Sequence, residues 1–114
     1  MRILIVEDNP SVRRMMVSFL SRVADDIKEC ADGGEALAAY SKWKPDWVLM
    51  DIKMGEVDGL TATRQIKAQF PDAKIIIVTN HDDEDLKQAA GEAGAYAYVL
   101  KQNLLDLKGL LRQA

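Results

Sequence analysis

The chain has 114 residues, 48% of them apolar, which sets the expectation of one domain, residues 1–114, with a single core of ordinary size. Acidic residues exceed basic ones by three and the basic ones are scattered, so this segment carries no nucleic-acid footprint of its own. A single cysteine, Cys30, excludes disulfides and cysteine-rich zinc sites and reads as a small core residue, while Arg2, Glu7, Asp8, Arg13 and Arg14 break up any signal-peptide or membrane-spanning run, so a cytoplasmic protein is expected.

Short apolar runs alternate with segments of helical period. The first run, Arg2 to Val6, is a strand candidate, followed by Asn9 and Pro10 as cap and first-turn residue of a helix. On that helix Val12, Met15, Met16, Phe19, Leu20 and Val23 recur at helical steps, and the Met15-Met16 pair is expected to pack in the core. Ile27 to Cys30 reads as the second strand and Gly34 to Lys42 as the second helix, which Pro45 forbids from continuing. Trp47 to Met50 is the third strand, and Leu60 to Phe70 a helix closed by Pro71. Lys74 to Val78 forms the fourth strand, then Asp83 to Ala93 an alanine-rich helix ending at Gly94. Ala97 to Leu100 is the last strand, and Asn103 to Arg112 a helix with Leu104, Leu107 and Leu111 on one buried stripe.

Strands alternating with helices imply a parallel sheet covered on both faces, because parallel strands need crossovers that pack back onto the sheet. In such α/β sheets ligands bind beyond the carboxyl ends of the strands. The residues at those ends are Glu7 and Asp8, then Asp51, Thr79 and Lys101. Asp51 follows the apolar run VLM and precedes Ile52, so its carboxylate enters an apolar setting that demands a partner. Three carboxylates about 5 Å apart would repel by roughly 3 kcal/mol per pair at an effective dielectric of ~20. A divalent cation relieves that cost, and an all-oxygen donor set favours Mg²⁺. A carboxylate nucleophile, a metal, a lysine and a hydroxyl together describe phosphoryl transfer onto Asp51.

These residues, and the stretch GAYAYVLK from Gly94 to Lys101, resemble the receiver domains of two-component response regulators over essentially the whole chain. The resemblance implies a doubly wound (βα)₅ fold with strand order 2-1-3-4-5. It also implies Glu7, Asp8, Asp51 and Lys53 at a Mg²⁺ site, Asp51 as phosphoacceptor, Lys101 as phosphate-contacting lysine, and Thr79 and Tyr98 as switch residues. The phosphoryl group would come from a sensor histidine kinase or a phosphotransfer protein, and the switch would remodel the surface of the fourth helix and fifth strand. Lys53 and His81, each two positions beyond a site residue, would flank the approach of water. The chain departs from the family pattern at Gln102, where proline commonly follows the lysine, and at Gly55, where Met-Pro is common after the phosphoacceptor. A cis peptide at Lys101 is therefore not expected. The chain reads either as a stand-alone receiver or as a piece of a longer regulator; the FPDAKIIIVT run and the missing proline, similar to receivers of transcription factors bearing a helix-turn-helix output, lean toward the second, with a DNA-binding domain outside this chain, and the resemblance also allows a homodimer formed on phosphorylation. Two rivals are an aspartate-nucleophile phosphatase, which would want a second Asp where Lys53 stands, and a pseudo-receiver that binds partners unphosphorylated. A nucleotide-binding loop is excluded, since neither G-x-G-x-x-G nor G-x-x-x-x-G-K-[ST] occurs.

Overall fold

A computed structural model describes residues 1–52 and 58–112. Its five strands are β1 (Arg2–Val6), β2 (Asp26–Cys30), β3 (Trp47–Met50), β4 (Ile75–Thr79) and β5 (Ala97–Leu100). They form one parallel sheet in the order β2-β1-β3-β4-β5. Five α-helices alternate with them: α1 (Pro10–Leu20), α2 (Gly33–Trp43), α3 (Gly59–Gln69), α4 (Glu84–Ala93) and α5 (Leu105–Leu111). The expected fold class and strand order are therefore both found.

Strand side chains alternate between two cores, as the period of two requires. Leu4, Val6, Val48, Met50, Ile75 and Ile77 point to the face covered by α2, α3 and α4, where Ala36, Tyr40, Trp43, Leu60, Ile66 and Ala90 meet them. Ile3, Ile5, Trp47, Leu49, Ile76, Val78 and Val99 point to the face covered by α1 and α5, against Met16, Leu20, Leu107 and Leu111. Burial on both faces explains why β3 and β4 read as unbroken apolar runs.

The helix starts follow their caps. Asn9, Asp32, Asp58 and Asp83 each accept backbone N–H bonds from the first turn that follows, and Gly94 ends α4 at φ 102°. Three expectations are corrected. Met15 is 45% exposed rather than packed, because the buried stripe of α1 runs through Val12, Met16 and Leu20 and Met15 lies on its flank. β4 begins at Ile75 and extends to Thr79, which pairs with Leu100. The last helix does not run unbroken from Asn103: Lys101–Asn103 form a 3-10 turn, and α5 starts only at Leu105 because Leu104 offers no capping side chain.

Candidate functional site

The order in which strands are added to the parallel sheet reverses between β1 and β3, and register places the two strand ends side by side: Val6 is opposite Met50, so Glu7 and Asp51 leave the sheet together. The N–H of Asp51 bonds to the Val6 carbonyl at 3.0 Å, and that of Glu7 to the Cys30 carbonyl at 3.0 Å. Both carboxylates are thus fixed by the last ladder bonds of their strands. Glu7 is 1% and Asp51 8% exposed, whereas Asp8 faces solvent. One carboxylate oxygen from each of Glu7, Asp8 and Asp51 lies within 4.8 Å of the others.

Lys101, which follows β5, reaches across the end of β4 to this cluster. Its Nζ stands 2.5 Å from Glu7 Oε1 and 3.4 Å from Asp51 Oδ2. Burial is the largest influence on the ammonium and pulls its pKa down, but Glu7 and Asp51 together outweigh it, so the group titrates above the ordinary lysine range. Contact with the Glu7 carboxyl, then burial and the Glu7 charge, hold the Asp8 carboxyl above its usual value despite backbone bonding and Lys101. The apolar setting of Asp51 is relieved by two partners: Lys101, and the Ile52 N–H, which donates to Oδ1 at 2.8 Å.

The donor set fits Mg²⁺. All three groups are hard oxygen ligands, they converge already, and Glu7 Oε1 meets Lys101 as a charge contact outside hydrogen-bond geometry, with no hydrogen-bond partner among the described residues. Lys53, also expected at the metal, and Met54 and Gly55 lie outside the described residues.

Thr79 and Tyr98 meet through a single residue. The buried Thr79 Oγ1 accepts the His81 N–H at 3.3 Å, and Tyr98 Oη donates to the His81 carbonyl at 2.5 Å. The Tyr98 ring is half-buried against the α2–α4 core, and Lys87 Nζ lies 5.9 Å from its centroid. Burial first, then the Asp83 charge, raises the phenol pKa. His81, expected to flank the approach of water, is half-buried and links the two switch candidates through its backbone. The Lys101–Gln102 peptide is trans.

Two residues at the site were not singled out from the sequence. Arg13 donates through NH1 to the carbonyls of Glu7 (2.8 Å) and Asp8 (3.2 Å). Its signal was its place one turn into a helix, where side chains lean back toward the N-terminus. Gly59 opens α3 against the end of β3: a Cβ there would stand 1.9 Å from the Asp51 carbonyl oxygen. The Asp58-Gly59 pair just before a predicted helix was the available hint.

Comparison with known proteins agrees with this geometry. Residues 3–112 match the family model of the response regulator receiver domain. Among curated proteins, the chain is 42% identical over 104 residues to "Uncharacterized transcriptional regulatory protein YhcZ" of Bacillus subtilis, covering 89% of this chain and 48% of that protein. It is 38% identical over 102 residues to the transcriptional regulatory protein LiaR of the same species, covering 88% of this chain and 48% of LiaR. The chain therefore spans about half the length of these relatives. Among solved structures, the BeF3-activated N-terminal receiver domain of Klebsiella pneumoniae RstA superposes with a TM-score of 0.93 at 30% identity, covering 99% of this chain and 97% of that one. With the sheet order, the acidic edge and its lysine, and a family match over nearly its whole length, this chain belongs to the response regulator receiver domain family.

Proposed function

We propose that residues 1–114 form a phosphorylation-dependent signalling switch in which Asp51 is the phosphoacceptor. The observation that carries this reading is the convergence of Glu7, Asp8 and Asp51 at one sheet edge with Lys101 between two of them. Asp51 Oδ2, the oxygen facing Lys101, attacks the phosphorus of a phosphohistidine on a sensor kinase or phosphotransfer protein. A P–O bond forms as the P–N bond breaks, and the electron pair returns to the imidazole nitrogen. Glu7, Asp8 and Asp51, with Lys53, would hold Mg²⁺, which when bound neutralises charge on the phosphoryl oxygens. Lys101 supplies a fixed positive charge, and Asp51 Oδ1 stays oriented by the Ile52 N–H.

Phosphorylation would act on the Thr79–His81–Tyr98 chain. A phosphoryl oxygen that accepts from the Thr79 hydroxyl and draws it inward pulls Oγ1 away from the His81 N–H that donates to it, and moving His81 alters the carbonyl that holds Tyr98. The surface of α4 and β5 changes in consequence, and differential contact with the two states shifts the population. The names of YhcZ and LiaR support an output in transcription; a DNA-binding domain outside this chain and a homodimer formed on phosphorylation are part of the proposal and rest on the family resemblance. The site of action proposed with this reading is the cytoplasm; among the described residues no helix is long and apolar enough to cross a membrane. The domain catalyses only its own phosphorylation and dephosphorylation.

Incubation with a small phosphodonor and Mg²⁺ should add one phosphoryl group by intact mass, and Asp51→Asn should abolish it. Undiminished labelling of that variant, or turnover of a generic phosphomonoester by the parent, would sink the reading.

A further inference from the structure

We propose that Arg13 is the positioning residue of the acidic turn, fixing Glu7 and Asp8 by their backbones so that both carboxylates converge on Asp51; the proposal rests on the metal-site reading above. Asn9 caps α1, and Arg13 stands four residues on, so its side chain leans back over the helix start. There NH1 is 2.8 Å from the Glu7 carbonyl oxygen and 3.2 Å from that of Asp8. Its Nε faces Glu29 Oε1 at 3.4 Å, near the end of β2. One planar fork thus joins α1, the β1–α1 turn and β2. The Asn9 N–H, in the same turn, bonds Glu7 Oε2 at 3.3 Å.

The acceptors are carbonyls, which gives the contact its meaning. A guanidinium paired to the carboxylates would compete with a cation for them, whereas this one leaves them available and holds the chain that carries them. Two adjacent carboxylates facing a third relieve their repulsion by splaying, and the backbone of the turn is where splaying would occur. Lysine cannot replace this arrangement, since a single ammonium lacks the fork.

The sign of one measurement separates positioning from charge. If Arg13 acted only as a nearby positive charge it would oppose Mg²⁺, and its removal would tighten binding; if it positions the turn, removal weakens binding. Groups that orient metal ligands typically change affinity by roughly 10–100-fold when lost. We expect Arg13→Gln to raise the Mg²⁺ Kd roughly tenfold, as followed by amide NMR shifts at matched ionic strength. Arg13→Lys should fall between that variant and the parent. Arg14→Gln makes the same charge change at the next residue, whose guanidinium donates to Ser11 Oγ at 3.3 Å among the described residues, and should leave Kd unchanged. In the metal-free protein, exchange of the Asp8 and Asn9 amides should quicken in Arg13→Gln and not in Arg14→Gln. A Kd for Arg13→Gln equal to or below the parent's overturns the proposal alone; should that variant not fold, Arg13→Lys decides by the same criterion. A parent that binds no Mg²⁺ overturns the metal-site reading and the proposal with it.

Discussion

At the scale of single residues, the backbone of His81 joins a buried hydroxyl to a half-buried ring, its N–H donating to Thr79 Oγ1 and its carbonyl accepting from Tyr98 Oη. Thr79→Ala should therefore leave phosphorylation of Asp51 intact while removing most of the shift change around Tyr98 that phosphorylation produces in the parent; an undiminished change in the variant would count against this route. Cys30 offers a pH test. Burial, then the Glu35 charge, pushes its thiol up to about 11. An acid whose folded pKa exceeds its unfolded value contributes stability that is complete below the unfolded pKa, near 9, and is lost as pH rises through about 11. Alkaline unfolding of Cys30→Ala should consequently begin at higher pH than that of the parent, and the native thiol should react with iodoacetamide at pH 8 far more slowly than the unfolded one. The residues of the acidic edge could be read from the chain because each directly ends or follows an apolar run. Arg13 could not, since its value lies in two carbonyls and a β2 glutamate that only the fold brings to it.

At the scale of elements, the start of α3 governs the setting of Asp51, the proposed phosphoacceptor. The Gly59 N–H bonds the Ile52 carbonyl at 2.8 Å, and the helix approaches so closely that a Cβ on Gly59 would meet the Asp51 carbonyl oxygen at 1.9 Å and its carbon at 2.8 Å. Those obstacles are backbone and cannot step aside as a flexible side chain would. Gly59→Ala should therefore cost about 1–3 kcal/mol in urea unfolding, the usual range for overpacking, and slow phosphorylation more than Gly91→Ala, where an added Cβ meets nothing within 4 Å. Equal effects at the two glycines would mean that the α3 contact does not set the geometry of Asp51. Elements themselves were legible to within about a turn, because Asn9, Asp32, Asp58 and Asp83 cap helices whose apolar stripes are plain. The last helix was misjudged since its leucine stripe signals burial but not where hydrogen bonding of the α type begins.

At the scale of the whole molecule, alternation of strands and helices dictates a parallel sheet but leaves the order of strands open, which is why the order came from the family resemblance and not from periodicity. That order puts β1 beside β3 and so concentrates negative charge at one edge. The metal-free fold bears that cost, and Lys101 offsets part of it. At an effective dielectric of ~20, two carboxylate neighbours near 5 Å cost Asp51 roughly 6 kcal/mol, and an ammonium at 3.4 Å returns roughly 5. The balance is a small net repulsion. Asp51→Asn keeps an oxygen for the Ile52 N–H while removing the charge, so it should raise metal-free stability by about 1 kcal/mol. Mg²⁺ at ten times Kd should stabilise the parent by roughly 1.4 kcal/mol and this variant by less. Lys101→Met should do the opposite on both counts: three carboxylates left to one another lower the metal-free melting temperature, and the loss of a competing cation increases the Mg²⁺ increment. Thermal unfolding of the three proteins with and without Mg²⁺ at matched ionic strength decides the matter. Equal increments in all three would mean that the carboxylates and Lys101 do not share one cation site, and that the charge gathered at this edge is balanced some other way.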